Sequence, residues 1–445
     1  MSIEKIKTFI LYVLVLLSAF LTWQLWVYQP YLETLKNIEL VKKYTVGKEE
    51  SLSDIIRPEQ VVLHVNNQHL STFDTGHHSP FYEKLLEASF DNFRDKSLDP
   101  EAREELLSLL ERKDSLEFIF PTAISMEMYA QLFEFNDEQS TLQLVDRIII
   151  YEDNNRTMAR FISYTEGSFI EARLINQSFA HYNKLVEEES QAYERFFMEI
   201  LNEAKPPVYL PEKPVNITGY DTYPPPLDED EFMHALFNDI SFVRKSSDTG
   251  GETLYTDGSH ELKVNNQLQS LIYINPSRNN ENETDTESSI VKSFRFINGH
   301  GGWTDPFVLY NWTPRNINEI NYRLIFNGYP SFGSPASKIE IEWQGAEVLK
   351  YERSLLSIER SISPTPRGET TLSSGYEIMD YLKSNSKYEI SKVNKIAIGY
   401  SITTQSTRLS FTPTWFVNYQ GKWEALMESK QLTYEAGERW PYGLE

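Results

Sequence analysis

From Thr8 to Val27 the chain runs twenty residues without a charge. At about 1.5 Å of rise per residue, a helix of that length reaches across the roughly 30 Å hydrocarbon core of a bilayer. Everything downstream is therefore expected to hang from a membrane-spanning segment. Lys5 and Lys7 precede the run, and Trp23, Trp26 and Tyr28 close it with amphipathic rings suited to a membrane interface. A cleaved signal peptide also opens with basic residues and an apolar stretch, but its stretch is shorter and ends in a small-x-small site. Here Ser18-Ala19 is followed by Phe20, Leu21, Thr22 and Trp23, so the reading is an uncleaved anchor over 8–28 behind a short tail, 1–7. Local basic residues leave its orientation open: Lys5, Lys7 and the terminal amine face Lys36, Lys42 and Lys43 across it, and large domains translocate largely regardless of charge.

Charge then limits the partners. A formal net charge of -23 and a pI near 4.9 argue against nucleic acid, whose phosphates are met by basic faces. They also predict repulsion from anionic headgroups and wall polymers, leaving the helix as the lipid contact. The absence of cysteine fits a surface protein of a bacterium that makes little use of disulfides, and equally fits many cytosolic proteins. With 26 tyrosines, 25 phenylalanines and 40% hydrophobic residues, the rest of the chain has material for packed cores.

Leu32, Leu35, Ile38 and Val41 recur every three positions, which suggests a short amphipathic stalk over 29–50, with a flexible tether as the alternative. A first α+β domain with an antiparallel sheet is expected over 51–205. Its strands are read at Val61–Val65, Leu116–Phe120, Asp146–Tyr151, Met158–Ser163 and Phe169–Leu174. Its helices are read after Ser79-Pro80 and Asp99-Pro100, at Thr122–Phe133 and at Gln177–Leu201. Pro206, Pro207, Pro211 and Pro214, echoed at Pro224 to Pro226, mark 206–226 as an extended, semi-rigid linker. A middle α+β domain (227–365) and a C-terminal one (366–445) follow, each ordered as helix then antiparallel strands, which is compatible with an old duplication.

Signatures of catalysis are missing: no Gly-x-Ser-x-Gly nucleophile turn, no Gly-x-x-x-x-Gly-Lys-Ser/Thr phosphate loop, no His-Glu-x-x-His zinc helix. His77-His78 is the only adjacent histidine pair, and consecutive side chains diverge too much to ligate one metal. In Asn298-Gly299-His300-Gly301-Gly302-Trp303-Thr304-Asp305-Pro306, His300 and Asp305 offer an acid and a base, but glycines beside Asp-Pro read better as a tight turn. Asn-x-Ser/Thr matches at Asn155, Asn176, Asn216, Asn282 and Asn311 matter only in a eukaryotic secretory route. No catalytic, cofactor-binding or metal-binding residue is assigned, and a non-enzyme is expected. In the anchor, Ser18 and Thr22 lie four apart with Gln24 nearby, a small, weakly polar strip that would let another helix approach and hydrogen-bond. These three are the partner-contact candidates, against the reading of an inert anchor.

Leu21-Thr22-Trp23-Gln24-Leu25-Trp26 with Tyr28-Gln29-Pro30, and the turn Asn327-Gly328-Tyr329-Pro330-Ser331-Phe332 after Tyr322-Arg323-Leu324, resemble the YycH family of Firmicutes, accessory proteins encoded beside an essential cell-wall two-component system. The layout resembles that family over nearly the whole chain. The resemblance implies a single-pass protein of the cell membrane, with its N-terminus cytoplasmic and three domains outside. It further implies that the chain acts with a sister protein, YycI, on the sensor histidine kinase YycG (WalK), the membrane helix contributing to contact with the kinase helices. It brings no cofactor and no enzymatic residue. The preferred function is thus modulation of a sensor kinase through protein–protein contacts. A cell-wall glycan-binding or sensing module is the alternative, and an extracytoplasmic hydrolase the third.

Overall fold

The computed structural model describes residues 46–72, 79–112, 114–137, 144–189, 193–276, 288–361, 363–405 and 408–426, together with Lys7, Leu11 and 14–18. Contacts divide the chain into two units, Met1–Lys43 and Tyr44–Glu445. In the first, Lys7, Leu11 and 14–18 are helical, and Leu11, Leu14, Val15, Leu16 and Leu17 all stand exposed. Among the described residues no helix is long and apolar enough to cross a membrane. Most of the predicted anchor lies outside the described residues.

Two mixed sheets build the second unit. The first holds β1 (Gln60–Val65), β2 (Gln68–Thr72), β3 (Ser89–Ser97), β4 (Ser115–Ser125), β5 (Glu134–Phe135), β6 (Leu144–Asp153), β7 (Arg156–Ser163), β8 (Ser168–Leu174), β9 (Glu194–Glu199) and β10 (Val208–Pro211). Their order is β10-β9-β2-β1-β4-β6-β7-β8-β3-β5. Helices α1 (Leu52–Ile55), α2 (Pro80–Leu86), α3 (Pro100–Arg112), α4 (Met126–Tyr129) and α5 (Phe179–Glu189) accompany it. Strand alternation shows why both faces need cover. Ile148 and Ile150 of β6 join the main core with Phe81 of α2 and Tyr182 of α5, whereas Ile149 and Tyr151 meet Leu106, Leu109 and Leu110 of α3.

The second sheet holds β11 (Val215–Thr222), β12 (Arg244–Ser247), β13 (Glu252–Thr256), β14 (Glu261–Asn265), β15 (Ser270–Ile274), β16 (Phe307–Thr313), β17 (Asn318–Phe326), β18 (Tyr329–Phe332), β19 (Lys338–Gln344), β20 (Glu347–Ser354), β21 (Thr365–Leu372), β22 (Val393–Gln405), β23 (Arg408–Tyr419) and β24 (Lys422–Leu426). The path runs β12-β13-β14-β15-β20-β19-β17-β18-β22-β23-β11-β21, with β16 on β17 and β24 on β23. Helices α6 (Glu229–Leu236), α7 (Ser289–Gly299) and α8 (Gly375–Ser384) belong to this half.

The α+β class agrees with the expectation, but the sheets are not purely antiparallel: β3 pairs β5 in parallel, and so does β18 with β22. Both parallel pairs join strands that a helix or a long connection separates in sequence, as parallel pairing requires. Three local expectations also change. Residues 122–125 continue β4 past an irregularity between Ile119 and Ile124, leaving one helical turn at α4. The helix expected to reach Leu201 stops at Glu189, because 194–199 are drawn into the sheet between β2 and β10. The proline-rich segment is extended but paired: β10 forms an edge of the first sheet, where proline costs no ladder bond, and β11 enters the second.

The two sheets meet along a seam. Lys395 of β22 pairs with Glu59, and its Nζ donates to the Pro121 carbonyl at 2.7 Å. Trp312 N donates to Thr122 Oγ1 at 3.2 Å, Lys205 Nζ to the Ser391 carbonyl at 2.7 Å, and Phe197 stacks on Tyr376 with 3.9 Å between ring centres. One apolar cluster runs from Phe118 and Phe161 through to Tyr322 and Trp415.

Candidate functional site

The glycine-rich segment after α7 is a clasp, and what it holds is 46–50, the end of the expected stalk. Gly47 N donates to the Gly301 carbonyl (2.6 Å), Lys48 N to that of Trp303 (2.9 Å), and Trp303 N back to that of Lys48 (2.8 Å). Asn298 serves both sides: Oδ1 accepts from Glu50 N (3.2 Å) and Trp303 Nε1 (2.7 Å), while Nδ2 donates to the Glu50 carbonyl (3.1 Å). Val46 is fully buried, and its carbonyl accepts from the Arg360 guanidinium. Behind the clasp, buried Arg353 donates from Nη1 to the Gly302 carbonyl and from Nη2 to Thr304 Oγ1, both at 2.8 Å. Only glycine permits such an approach. A Cβ on Gly47 would stand 2.1 Å from the Trp303 carbonyl oxygen, and one on Gly302, at φ +75°, 2.7 Å from that of Lys48.

His300 and Asp305 are spent inside this loop. The His300 Nδ1–H donates to the Phe296 carbonyl at 2.8 Å, the ring stacks on Phe296, and burial lowers its pKa. Asp305 Oδ1 accepts from Ile358 N (2.6 Å) and Glu359 N (2.9 Å), and Oδ2 from Thr304 Oγ1 (2.9 Å); burial raises its pKa against the pull of those donors. The turn reading of the motif is the one the geometry favours.

A second polar cluster crosses the first sheet. Glu117 of β4 is fully buried; its carboxylate pairs with Arg147 of β6 and accepts from Tyr209 Oη of β10 at 2.6 Å, with His64 Nε2 at 3.3 Å. Burial pushes this carboxyl up, but Arg147, His64 and Tyr209 outweigh it and hold the pKa at about 2. Arg147 Nη2 also donates to the Pro207 carbonyl at 2.7 Å, pinning the start of the proline-rich segment. His64 Nδ1 lies 2.8 Å from Nδ1 of His69, whose pKa burial and the neighbouring His64 lower to about 4.

Residues 4–192 match the YycH protein N-terminal domain and residues 205–434 the YycH protein C-terminal domain. The chain belongs to the YycH family. It is 22% identical to the protein named "two-component system WalR/WalK regulatory protein YycH" of Bacillus subtilis (strain 168), over 95% of this chain and 96% of that one. The crystal structure of YycH from Bacillus subtilis shares the fold, with a TM-score of 0.69 at 19% identity, covering 86% of this chain and 99% of the other.

Within this YycH-family fold, the partner-contact candidates of the anchor fall at the limit of the description. Ser18 is helical and exposed, whereas Thr22 and Gln24, like His77 and His78, lie outside the described residues. Among the described residues no group of three His, Asp or Glu side chains is placed to hold a metal ion. Sequence reasoning found one half of the clasp and missed the other. Gly47 beside Val46 was the available signal, but nothing local ties it to a turn some 250 positions away; the Glu50–Asn298 separation is 248.

Proposed function

We propose that this YycH-family chain is a membrane-anchored regulator of a two-component sensor histidine kinase of the YycG (WalK) kind. It acts through protein–protein contacts, together with a sister protein resembling YycI. In this reading the N-terminus is cytoplasmic, 8–28 crosses the cell membrane, and the α+β body lies outside. The regulatory name of the Bacillus subtilis relative supports the class. The observation that carries the anchor is the run of exposed apolar side chains at Leu11, Leu14, Val15, Leu16 and Leu17: a helix apolar all round is stable only under lipid or other helices. Ser18, Thr22 and Gln24 are the proposed contacts with kinase helices.

Regulation requires a differential contact, because a helix that packs equally on both signalling states shifts neither. Replacing Thr8–Val27 with an unrelated apolar helix is expected to keep the protein in the membrane while kinase output and co-purification with the kinase both fall. Unchanged output and unchanged co-purification would remove helix recognition. Because the chain has no cysteine, single cysteines along the anchor give a clean crosslinking map. Crosslinks to the kinase recurring every three to four positions, through Ser18 and Thr22, are expected.

A further inference from the structure

His64 and His69 stand directly opposite each other on the β1–β2 hairpin. Residues so paired share one face of a sheet, and here the imidazoles meet edge to face, with Nδ1 2.8 Å from Nδ1. The partner on the far side of His64 decides which nitrogen is which. The Glu117 carboxylate only accepts, so His64 Nε2 carries the hydrogen of their 3.3 Å contact. In the neutral ring Nδ1 is then a lone pair facing His69. A carboxylate behind one imidazole nitrogen, with the other nitrogen open, is the arrangement that orients histidine ligands of transition metals and raises their basicity. Tyr209 Oη, 2.6 Å from the same carboxylate, and Arg147 hold it in place.

Spacing and surroundings narrow the ion. Imidazole nitrogens suit Zn²⁺, Ni²⁺ and Cu²⁺ and not Mg²⁺ or Ca²⁺. At metal–nitrogen distances of about 2.0 Å, two ligands at a right angle lie about 2.8 Å apart and two at a tetrahedral angle about 3.3 Å. The spacing of the histidine pair is that of neighbouring corners of a square, the geometry of Cu²⁺ and Ni²⁺, of which Cu²⁺ binds the tighter. Among the described residues no third His, Asp or Glu joins the pair as a ligand, so water completes the coordination. His69 is half-buried at a cavity of about 250 Å³, against roughly 10–15 Å³ for one water. That room also lets the His69 ring turn until both lone pairs converge on one ion. The charged residues lining the cavity, among those described, are Glu111, Glu212 and Arg195, two anions to one cation.

We propose that His64 Nδ1 and His69 Nδ1 chelate one Cu²⁺ ion, with water from the cavity as its remaining ligands. Two waters of the hydrated ion leave as the two nitrogen bonds form. No net proton is released: the ion takes the place of the hydrogen shared by the pair, which moves from Nδ1 to Nε2 of His69. The ion ties β1 to β2 and, through His64, Glu117 and Tyr209, to β10. This site is independent of the kinase contact proposed above and is read by an assay containing no kinase.

The test is titration of the metal-free full-length protein in detergent at neutral pH with Cu²⁺ and with Zn²⁺, each against a competing chelator, followed by electron paramagnetic resonance of the copper complex. One equivalent of Cu²⁺ is expected to bind, at least tenfold tighter than Zn²⁺, with a tetragonal spectrum split by two imidazole nitrogens. His69→Gln should weaken binding at least tenfold while keeping the circular dichroism of the parent. His77→Gln combined with His78→Gln, which removes the adjacent histidine pair, should leave binding unchanged. No saturable binding, Zn²⁺ bound as tightly as Cu²⁺, a spectrum without two nitrogens, binding unaltered in His69→Gln, or binding lost with His77 and His78 instead would each overturn the proposal.

Discussion

Glu117 is fully buried and keeps its charge. Arg147 and the hydroxyl of Tyr209 hold that charge in place. Replacing it by glutamine keeps the shape but leaves the Arg147 guanidinium buried without its anion, the situation in which breaking a buried pair costs about 3–5 kcal/mol. Glu117→Gln is therefore expected to lower the unfolding free energy by that order, read from the urea midpoint at an unchanged slope against an exposed control such as Glu152→Gln. The same cluster sets an acid limit. His69 has its folded pKa lowered from 6.5 to about 4, so its contribution to stability is complete above pH 6.5 and is lost as pH falls through 4. Glu117, lowered from 4.5 to about 2, loses its contribution below that, between pH 4.5 and 2. The melting temperature should fall on acidification from pH 6.5. His69→Gln should flatten the upper part of that fall, pH 6.5 to 4, and leave the lower part, which thermal scans across the range would read.

The clasp can be opened at the scale of elements without touching either sheet. Gly47→Val places a side chain where the Trp303 carbonyl now sits, so the bridge between 47–48 and 301–303 must part. Hydrogen exchange at the amides of Gly47, Lys48 and Trp303 should rise sharply while protection in β6 and β7 stays. Asn298→Ala, which removes three hydrogen bonds at once, should do the same. These contacts mark where sequence reading stops. The strands β6 to β8 were legible because Asp153 and Arg156 flank a two-residue turn and the apolar runs between turns are long; Asn154 and Asn155 take the positive φ of such a turn. Helices α2 and α3 announced themselves by Pro80 and Pro100, both local signals. β9 did not, because Glu194–Glu199 carries no alternation strong enough to outweigh the helical run before it. Only the open edges of β2 and β10 make it a strand. The clasp and the Glu117 cluster were illegible for the same reason: each joins groups from elements far apart in sequence, and no local propensity encodes a meeting.

At the scale of the whole molecule, the proposed function, with a body on one side of a membrane and a kinase contact within it, requires that a conformational bias pass through the chain between them. The body begins at 46–50, which are not a loose end of a stalk but are clasped into the second sheet's half by Asn298, Arg360 and the Gly301–Trp303 backbone. A tenfold bias on the kinase requires about 1.4 kcal/mol of differential contact, and a compliant joint at this point would dissipate it into loop motion. The Gly47→Val and Asn298→Ala variants are thus expected to separate anchoring from regulation. Both should reach the membrane in normal amounts, co-purify with the kinase through an intact anchor, and yet fail to alter kinase output. The anchor replacement should lose co-purification and output together. Reporter expression from the response regulator, read beside co-purification, distinguishes the two patterns. If opening the clasp leaves output at the parent level while hydrogen exchange confirms that the strap has parted, the body does not act through 46–50, and regulation resides in the anchor helix alone.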